Sequence, residues 1–343
     1  MKFIPLVALL VLLTSCSINF SAAGQVDVDP KYQHKVDLMP AGADDLIVMW
    51  DSGSVDLIAD DSKNVRVLAV GYRNGNLVTP DVWLEHASFK VEDGAVRLIF
   101  DYGKTSERES TVVEFLTNPF SIALQIHFPR SMVVNVDTSN GSIDLAGGAS
   151  AALDTSNGSI EVDGVHGDLH LDTSNGSIEV NGSLGEVYAD TSNGSIKLNG
   201  SPGEVYADTS NGWINLDISG DHIGAITADS SNGKITVTMS GYQHDPVVLS
   251  TSNGAIELHA GPGFAADTEL DTSNGAIEVF LSDLPAGLAI DATASSGKAS
   301  TNLPGVSVYN EYGSGSIERD GDGPTITADT SNGSVSITAT KIE

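Results

Sequence analysis

Apolar and polar residues alternate along most of this chain. In the stretch "EVYADTSNGSIKLNG", which begins at Glu186, Val187 and Ala189 share one face while Tyr188 and Asp190 share the other. Alternation with a period of two is typical of β-strands that bury one face. The alternation resumes after the letters "SNG", so the stretch predicts two short strands joined by a turn.

The letters "DTSNGSI" or close variants recur along the chain. Successive Asn-Gly corners are 17, 18, 18, 18, 21, 21, 21 and 58 residues apart, and two degenerate copies, "TASSGKA" from Thr293 and "EYGSGSI" from Glu311, divide the last gap. These place Ser296 and Ser314 at the Asn position. A steady period predicts an all-β fold, a parallel β-solenoid with coils of about 18 to 21 residues. The predicted corner residues are Asn140, Asn157, Asn175, Asn193, Asn211, Asn232, Asn253, Asn274 and Asn332.

The repeated corner is interpreted as a structural device. Identical Asn side chains stacked about 4.8 Å apart can hydrogen-bond in a ladder from coil to coil. We expect Asn193 and Thr191 to point inward together, and we expect the Gly of each corner to supply a positive φ. An inward Asn would leave the N-x-Ser glycosylation pattern of these corners unused.

The net charge of −30 restricts the partners of the protein. The 343 residues include 46 Asp and Glu against 16 Lys and Arg, so binding to the phosphate backbone of nucleic acid is excluded as a function. Direct adsorption to anionic lipid head groups is disfavoured for the same reason. A hydrophobic content of 40% nevertheless predicts a packed core rather than a disordered acidic tail.

An Asp precedes most corners on the outward face. One interpretation is a solvated row that keeps the surface soluble and prevents aggregation. The other is a row of weak Ca²⁺ sites, with Asp154, Asp172, Asp190 and Asp208 as the candidate ligands, because Ca²⁺ prefers carboxylate and carbonyl oxygens. No other cofactor is expected. The full row is Asp137, Asp154, Asp172, Asp190, Asp208, Asp229, Asp271 and Asp329.

The N-terminus is typical of an export signal. Lys2 precedes a short apolar run, and the letters "LTSC" that end at Cys16 resemble the lipobox of bacterial lipoproteins. The resemblance implies a signal peptide over 1–15, lipid on Cys16 and a tether over 16–30. Ser17 does not match an inner-membrane retention signal, which implies the outer membrane. An ordinary secretory signal with a chance cysteine is the alternative.

Residues 31–136 are less regular than residues 137–343, which hold the repeats. The corners "MWDSGSVDL" from Met49 and "VEDGAVRL" from Val91 read as degenerate coils. Trp and Phe give this section larger side chains than the later coils have. The section is predicted to cap the solenoid. A separate small β-sandwich is the alternative. The aromatic residues concerned are Trp50, Trp83, Phe115, Phe120 and Phe128.

The segment from Ile122 to Gly147, "IALQIHFPRSMVVNVDTSNGSIDLAG", resembles the first segment of the bacterial putative adhesin family. The matching pattern is an alternating strand, Pro129, a second strand, the "TSNG" corner and an Ile-x-Leu strand. The resemblance covers roughly residues 40–343 and implies an exported β-repeat domain related to pectate-lyase-like β-helices. It implies little about a ligand, because a fold does not fix a function.

Two non-enzymatic functions follow from these patterns. One is an envelope-anchored adhesin or binding module that uses a long acidic face to bind an envelope protein or a glycan, and the other is a structural or stress-response rod. A polysaccharide-acting enzyme is disfavoured, because carboxylates occur as repeats rather than as one pair and basic residues after position 130 are scattered. His166 and His170, in "HGDLH", suggest a metal site only weakly, since no third ligand is evident. Ice binding would need outward Thr rows, which the pattern does not predict.

Overall fold

A computed structural model of the protein describes residues 28–100 and 120–340. Within these ranges the chain forms two β-sheets of 15 strands each, and no helix there is long and apolar enough to cross a membrane. Three one-turn 3₁₀ helices lie in the N-terminal section, at Pro30–Tyr32, Pro80–Val82 and Leu84–His86. The prediction of an all-β solenoid is confirmed.

The N-terminal section contributes strands to both sheets. They are β1 (Gln33–Leu38), β2 (Asp45–Ser52), β3 (Val55–Asp60), β4 (Val65–Arg73), β5 (Asn76–Val78), β6 (Ala87–Glu92), β7 (Ala95–Phe100) and β8 (Phe120–Pro129).

From residue 133 to residue 281 the strands alternate between the second and the first sheet, so that each coil has one strand in each sheet. They are β9 (Val133–Asn140), β10 (Ile143–Ala146), β11 (Ala151–Thr155), β12 (Ile160–Asp163), β13 (Leu169–Thr173), β14 (Ile178–Ser183), β15 (Val187–Thr191), β16 (Ile196–Gly200), β17 (Val205–Thr209), β18 (Ile214–Ile223), β19 (Ile226–Ser230), β20 (Ile235–Gln243), β21 (Val247–Thr251), β22 (Ile256–Ala260), β23 (Thr268–Thr272) and β24 (Ile277–Leu281).

The C-terminal strands are β25 (Ala289–Ala294), β26 (Ala299–Thr301), β27 (Ser307–Glu311), β28 (Ser314–Arg319), β29 (Thr325–Thr330) and β30 (Val335–Ala339). The first sheet has the order β1-β4-β8-β3-β10-β12-β14-β16-β18-β20-β22-β24-β30-β26, with β5 beside β4. The second sheet has the order β27-β28-β25-β29-β23-β21-β19-β17-β15-β13-β11-β9-β2-β7-β6.

Neighbouring coils pair in parallel and in register, so equivalent letters of the repeat lie side by side. Ile178 pairs with Ile196 and Ile196 with Ile214, while Asp172 pairs with Asp190 across the second sheet. The three Ile side chains are each 1% exposed and stack along the core. Burial of one such side chain contributes roughly 1.5–3 kcal/mol, and repetition makes the thin core continuous.

The N-terminal section continues the two sheets. The corner near Met49 forms a coil as predicted, because β2 pairs in parallel with β9 and β3 with β10. The corner near Val91 does not: β6 and β7 form an antiparallel hairpin whose turn residues Asp93 and Gly94 have φ of 51° and 77°. An Asp-Gly pair with positive φ at both residues favours a tight hairpin turn over a stacked coil corner.

Large side chains fill the N-terminal end of the core. The indole Nε1 of Trp50 donates to the carbonyl oxygen of Ile122 at 2.9 Å, and its ring centroid lies 5.1 Å from that of Phe100. Strand β4 covers β8 in the antiparallel direction, which ends the parallel stack on that side. Phe115 lies outside the described residues.

The C-terminal coils are stacked out of sequence order, contrary to prediction. Strand β29 lies between β23 and β25, so the last coil is inserted between two coils that precede it in the chain. The corner at Thr293 does form a coil, but "EYGSGSI" is the turn of the antiparallel hairpin β27–β28, with φ of 50° at Tyr312 and 91° at Gly313. Strand β28 of this hairpin can pair antiparallel with β25 because that edge of β25 is not paired with another strand.

Candidate functional site

The Asn side chains of the corners form a ladder on the surface. The amide nitrogen of Asn193 donates to the side-chain oxygen of Asn175 at 2.9 Å, and Asn211 donates to Asn193 at 2.9 Å. The same bond joins each corner to the next from Asn140 to Asn332, and each Asn from Asn157 onward also donates to a backbone carbonyl oxygen of the preceding coil. All nine side chains are exposed.

The Thr of the corner, and not the Asn, points inward. Thr191 is 1% exposed, its hydroxyl donates to the carbonyl oxygen of Gly176 at 2.8 Å, and it accepts from the backbone nitrogen of Gly194 at 3.1 Å. The expectation that Asn and Thr point inward together is therefore wrong. Thr fits the interior because its one hydroxyl satisfies two backbone groups, whereas an inward Asn would bring two further amide donors to be paired.

The Gly of the corner is required by contact rather than by a positive φ. None of the corner glycines from Gly141 to Gly275 has a positive φ, so that expectation is wrong. A Cβ on Gly194 would lie 1.7 Å from the carbonyl oxygen of Gly176, and one on Gly212 would lie 1.7 Å from that of Gly194. Successive corners pack backbone against backbone, and only Gly permits this approach.

The predicted Asp row forms a column on the outward face of the second sheet. Asp137, Asp154, Asp172, Asp190 and Asp208 are in register across five neighbouring strands. Partial burial, followed by repulsion from neighbouring carboxylates, raises the pKa of the Asp154, Asp190 and Asp208 side chains above the ordinary value. Like charges in register therefore repel one another along this column.

An aromatic column lies two residues before the Asp column. The rings of His170 and Tyr188 stack at 4.5 Å with planes 16° apart, and those of Tyr188 and Tyr206 stack at 4.7 Å with planes 4° apart. The hydroxyl of Tyr206 donates to Asp208 Oδ2 at 3.3 Å. Burial and the nearby carboxylates raise the pKa of the Tyr188 and Tyr206 hydroxyls, so both remain neutral donors at physiological pH.

A second carboxylate column flanks the rings on the other side. Asp168, Glu186 and Glu204 each lie two residues before one of the stacked rings and are exposed. The backbone nitrogen of Glu186 donates to Asp168 Oδ1 at 3.1 Å, which fixes that carboxylate. A groove of about 460 Å³ runs along these side chains and is also lined by Ala152 and Asn135.

The aromatic column is the part of the site that was not recognised in the sequence. The signal was present, because "LHLD", "VYAD" and "VYAD" place a ring two residues before the Asp in three successive coils. The corner Asp recurs from Asp137 to Asp329, whereas on the described second sheet stacked rings occupy these three coils; a separate stack of His259 on Phe280 lies on the first sheet. The rings of the second sheet therefore mark one place on its outward face.

The predicted cation site is not part of a metal-binding cluster in the described part of the chain. Among the described residues, no group of three or more His, Cys, Asp or Glu side chains is placed to hold a metal ion. His166 lies in the turn before β13, and His170 is engaged in the ring stack. Weak Ca²⁺ binding by Asp154, Asp172, Asp190 and Asp208 stays a prediction, and Cys16 lies outside the described residues.

The outward face of the first sheet carries a different carboxylate cluster. Asp56, Asp144 and Glu161 are in register across β3, β10 and β12. Burial, followed by repulsion from Glu161 and Asp56, raises the pKa of Asp144 to about 6. The folded chain therefore binds this proton more tightly than the unfolded chain does, so stability falls as the pH rises from about 3.8 to about 6, and the full cost of the ionised carboxylate is present above that range.

Asp144→Asn is expected to stabilise the protein at about pH 7.5 by roughly 1–2 kcal/mol, with a smaller gain at about pH 5 where the wild-type side chain is largely protonated. Urea unfolding at the two pH values measures the difference. Asp163→Asn serves as the control: Asp163 is exposed, lies two residues beyond Glu161 on β12, and has the uncharged cross-strand partners Ala146 and Asn181, so its effect should be small at both pH values. An equal gain for both variants would contradict the assignment to Asp144.

Solved structures with a similar outline carry adhesin names. One is described as "a putative cell adhesion protein" from Clostridium sporogenes, with 11% identity, a TM-score of 0.24 and coverage of 90% of this chain and 98% of that one. Another is "a putative adhesin" from Bacteroides fragilis, with 13% identity, a TM-score of 0.31 and coverage of 90% of this chain and 97% of that one. No family model and no curated protein matches the chain. These names agree with the family that the segment from Ile122 resembles, but likeness at this level carries no conclusion about function.

Proposed function

We propose that this chain is a non-enzymatic binding module of the bacterial envelope, anchored by lipid on Cys16, that holds its partner on the outward face of the second sheet. The observation that carries the proposal is the aromatic column between two carboxylate columns. His170, Tyr188 and Tyr206 interrupt a row of carboxylates at one place, and accessible ring edges in a groove favour recognition of a partner.

The scaffold supports this proposal. In-register strands hold the three rings 4.5 to 4.7 Å apart, so the surface is ordered before a partner arrives and little side-chain entropy remains to be lost on binding. The carboxylates occur as extended columns and no uniquely placed acid–base pair faces this groove, which favours binding over hydrolysis or elimination.

Cross-linking from the two faces tests the proposal. A photoreactive phenylalanine analogue is placed at Thr227, which is outward on the second sheet beside Tyr206, or at Thr236, which is outward on the first sheet. Both residues are half-buried Thr, in the consecutive strands β19 and β20, and the full-length lipoprotein is used. We expect a discrete cross-linked species in intact envelopes from Thr227 alone. Equal cross-linking from both faces, or none from Thr227, would refute the proposal.

Lipid anchoring is tested separately. The full chain expressed in a bacterium should partition into the detergent phase, and Cys16→Ser should shift it to the aqueous phase, because several acyl chains on one residue give stable membrane attachment. A control substitution at the neighbouring Ser17 to Ala should leave the partition unchanged. Wild-type protein in the aqueous phase, with a titratable thiol on Cys16, would show that the cysteine is not lipidated.

A further inference from the structure

The ring stack stops abruptly at one end. In the register of the second sheet, Tyr206, Tyr188 and His170 are followed by Ala152 and then by Asn135. The ring face of His170 that is turned away from Tyr188 is therefore next to the methyl group of Ala152 instead of another ring. The groove of about 460 Å³ includes this place, with Ser150 and Asp168 at its side. We call the space above Ala152 the notch.

Measured along the ring stack, the notch is as long as the spacing of one strand. The stacked rings lie 4.5 and 4.7 Å apart, which is the spacing between neighbouring strands, so a flat group above Ala152 would continue the stack in the next layer. Flat groups stack favourably on aromatic faces at such distances. The geometry selects a planar group of small size.

The surroundings of the notch are anionic. Asp154 lies two residues after Ala152 on β11 and on the same face of the sheet, and Asp168 borders the groove on the other side. Asp172 is the neighbour of Asp154 in the Asp column. From residue 131 onward the chain has 29 acidic and 5 basic residues. The electrostatic potential around the notch therefore favours a cation and opposes an anion.

We propose that the notch binds the guanidinium group of an arginine in an extended basic segment of another protein. Guanidinium is planar, always charged and able to stack on a ring, and its donors form a fork that suits carboxylates such as Asp154 and Asp168. Further basic residues of the same segment lie along the groove between the rings and Glu186 and Glu204. This inference rests on the proposed function and names the chemistry of its partner.

Other occupants fit the geometry less well. A sugar ring stacks on an open aromatic face, but both faces of Tyr188 are covered by His170 and Tyr206, so the column offers no run of open faces to a glycan. A lysine ammonium would satisfy the charge but is not flat and gains nothing from the layer above Ala152. The shape of the notch therefore separates arginine from lysine.

Peptide titration of the full-length lipoprotein in detergent tests the inference. The probes are two short peptides with blocked ends, one of alternating Arg and Ser and one of alternating Lys and Ser, at about 0.15 M salt to screen diffuse attraction. We expect saturable binding of the Arg peptide in calorimetry, at least about tenfold tighter than that of the Lys peptide. Ala152→Tyr fills the notch with a tyrosine, the residue found at the equivalent positions 188 and 206. We expect this variant to bind the Arg peptide about tenfold more weakly and to have an unchanged melting temperature.

A matched pair of charge variants separates local from diffuse attraction. Asp168→Asn, Glu186→Gln and Glu204→Gln combined remove three charges beside the rings. Asp163→Asn, Asp217→Asn and Glu278→Gln combined remove three exposed charges from the first sheet. The first triple variant should weaken the Arg peptide about tenfold and the second less than about twofold.

Equal binding of the two peptides, equal weakening by both triple variants, or no saturable binding would overturn the inference. Carbohydrate on the species cross-linked from Thr227 would assign a glycan instead and would overturn it as well. Cross-linking confined to the second sheet, together with failure of the Arg peptide, would leave the proposed function standing and refute the guanidinium alone. Loss of the difference between Thr227 and Thr236 would refute the proposed function itself.

Discussion

Gly194→Ala is expected to destabilise the solenoid by more than about 3 kcal/mol, a large effect for one methyl group. The new Cβ would lie 1.7 Å from the carbonyl oxygen of Gly176. Both partners belong to backbone held by neighbouring in-register strands, so no side chain can rotate to relieve the overlap, and the coils on either side must move apart. Urea unfolding followed by circular dichroism measures the loss.

Gly203→Ala is the matched control for this prediction. Gly203 lies in the other turn of the same solenoid, it has no positive φ, and the nearest atom to an added Cβ is 4.0 Å away. Alanine there should change the free energy of unfolding by no more than about 0.5–1 kcal/mol, and a small gain is expected because the unfolded chain loses freedom. Similar costs for the two variants would mean that the close approach at the corner does not govern the choice of Gly.

Thr191→Val is expected to cost about 2–4 kcal/mol although the two side chains have nearly the same shape. The hydroxyl of Thr191 bonds both the carbonyl oxygen of Gly176 and the backbone nitrogen of Gly194. All three residues are buried, so valine would leave one donor and one acceptor without these partners or water. Chemical unfolding at neutral pH gives the cost.

Thr191→Ser provides the critical comparison. Serine occupies the equivalent position at Ser230, where its hydroxyl donates to Gly212 at 3.0 Å and accepts from Gly233 at 2.8 Å. Thr191→Ser should therefore cost less than Thr191→Val, the reverse of the order that apolar burial alone would give. Asn193→Ala should cost only about 0.5–1.5 kcal/mol, because water can replace its exposed hydrogen bonds. A smaller cost for valine than for serine would show that the hydroxyl is not the stabilising group.

The alternation and the repeat length by themselves determined the coil. A period of two fixes which residues share a face, and a spacing of 18 to 21 residues leaves room for two short strands and two turns. Equivalent letters then stack because an in-register parallel pair buries the same face in every coil. The columns of Asp and Asn, and the outward position of Tyr188, followed from this local logic.

The orientation of the corner residues was decided by the tertiary structure. Thr191 and Asn193 are two residues apart and alternation placed them on one face, but the chain turns at the corner and the alternation ends there. The buried hydroxyl of Thr191 satisfies backbone groups of two coils, and the Asn is left on the surface where its neighbours continue the ladder. Likewise, Gly is required at position 194 because the carbonyl oxygen of Gly176 in the preceding coil lies too close for a Cβ. A local sequence pattern does not contain this information.

The order of the C-terminal coils also depended on the tertiary structure. The strand from Thr325 to Thr330 carries the same inward and outward letters as its neighbours, so the sequence permits it to stack on any free coil. It lies between β23 and β25, and the segment from Ser307 to Arg319 turns back as a hairpin. Sequence repetition determined what each coil looks like. Which coils became neighbours was decided by non-local pairing, because near-identical strands offer nearly identical hydrogen bonds and apolar contacts to every partner.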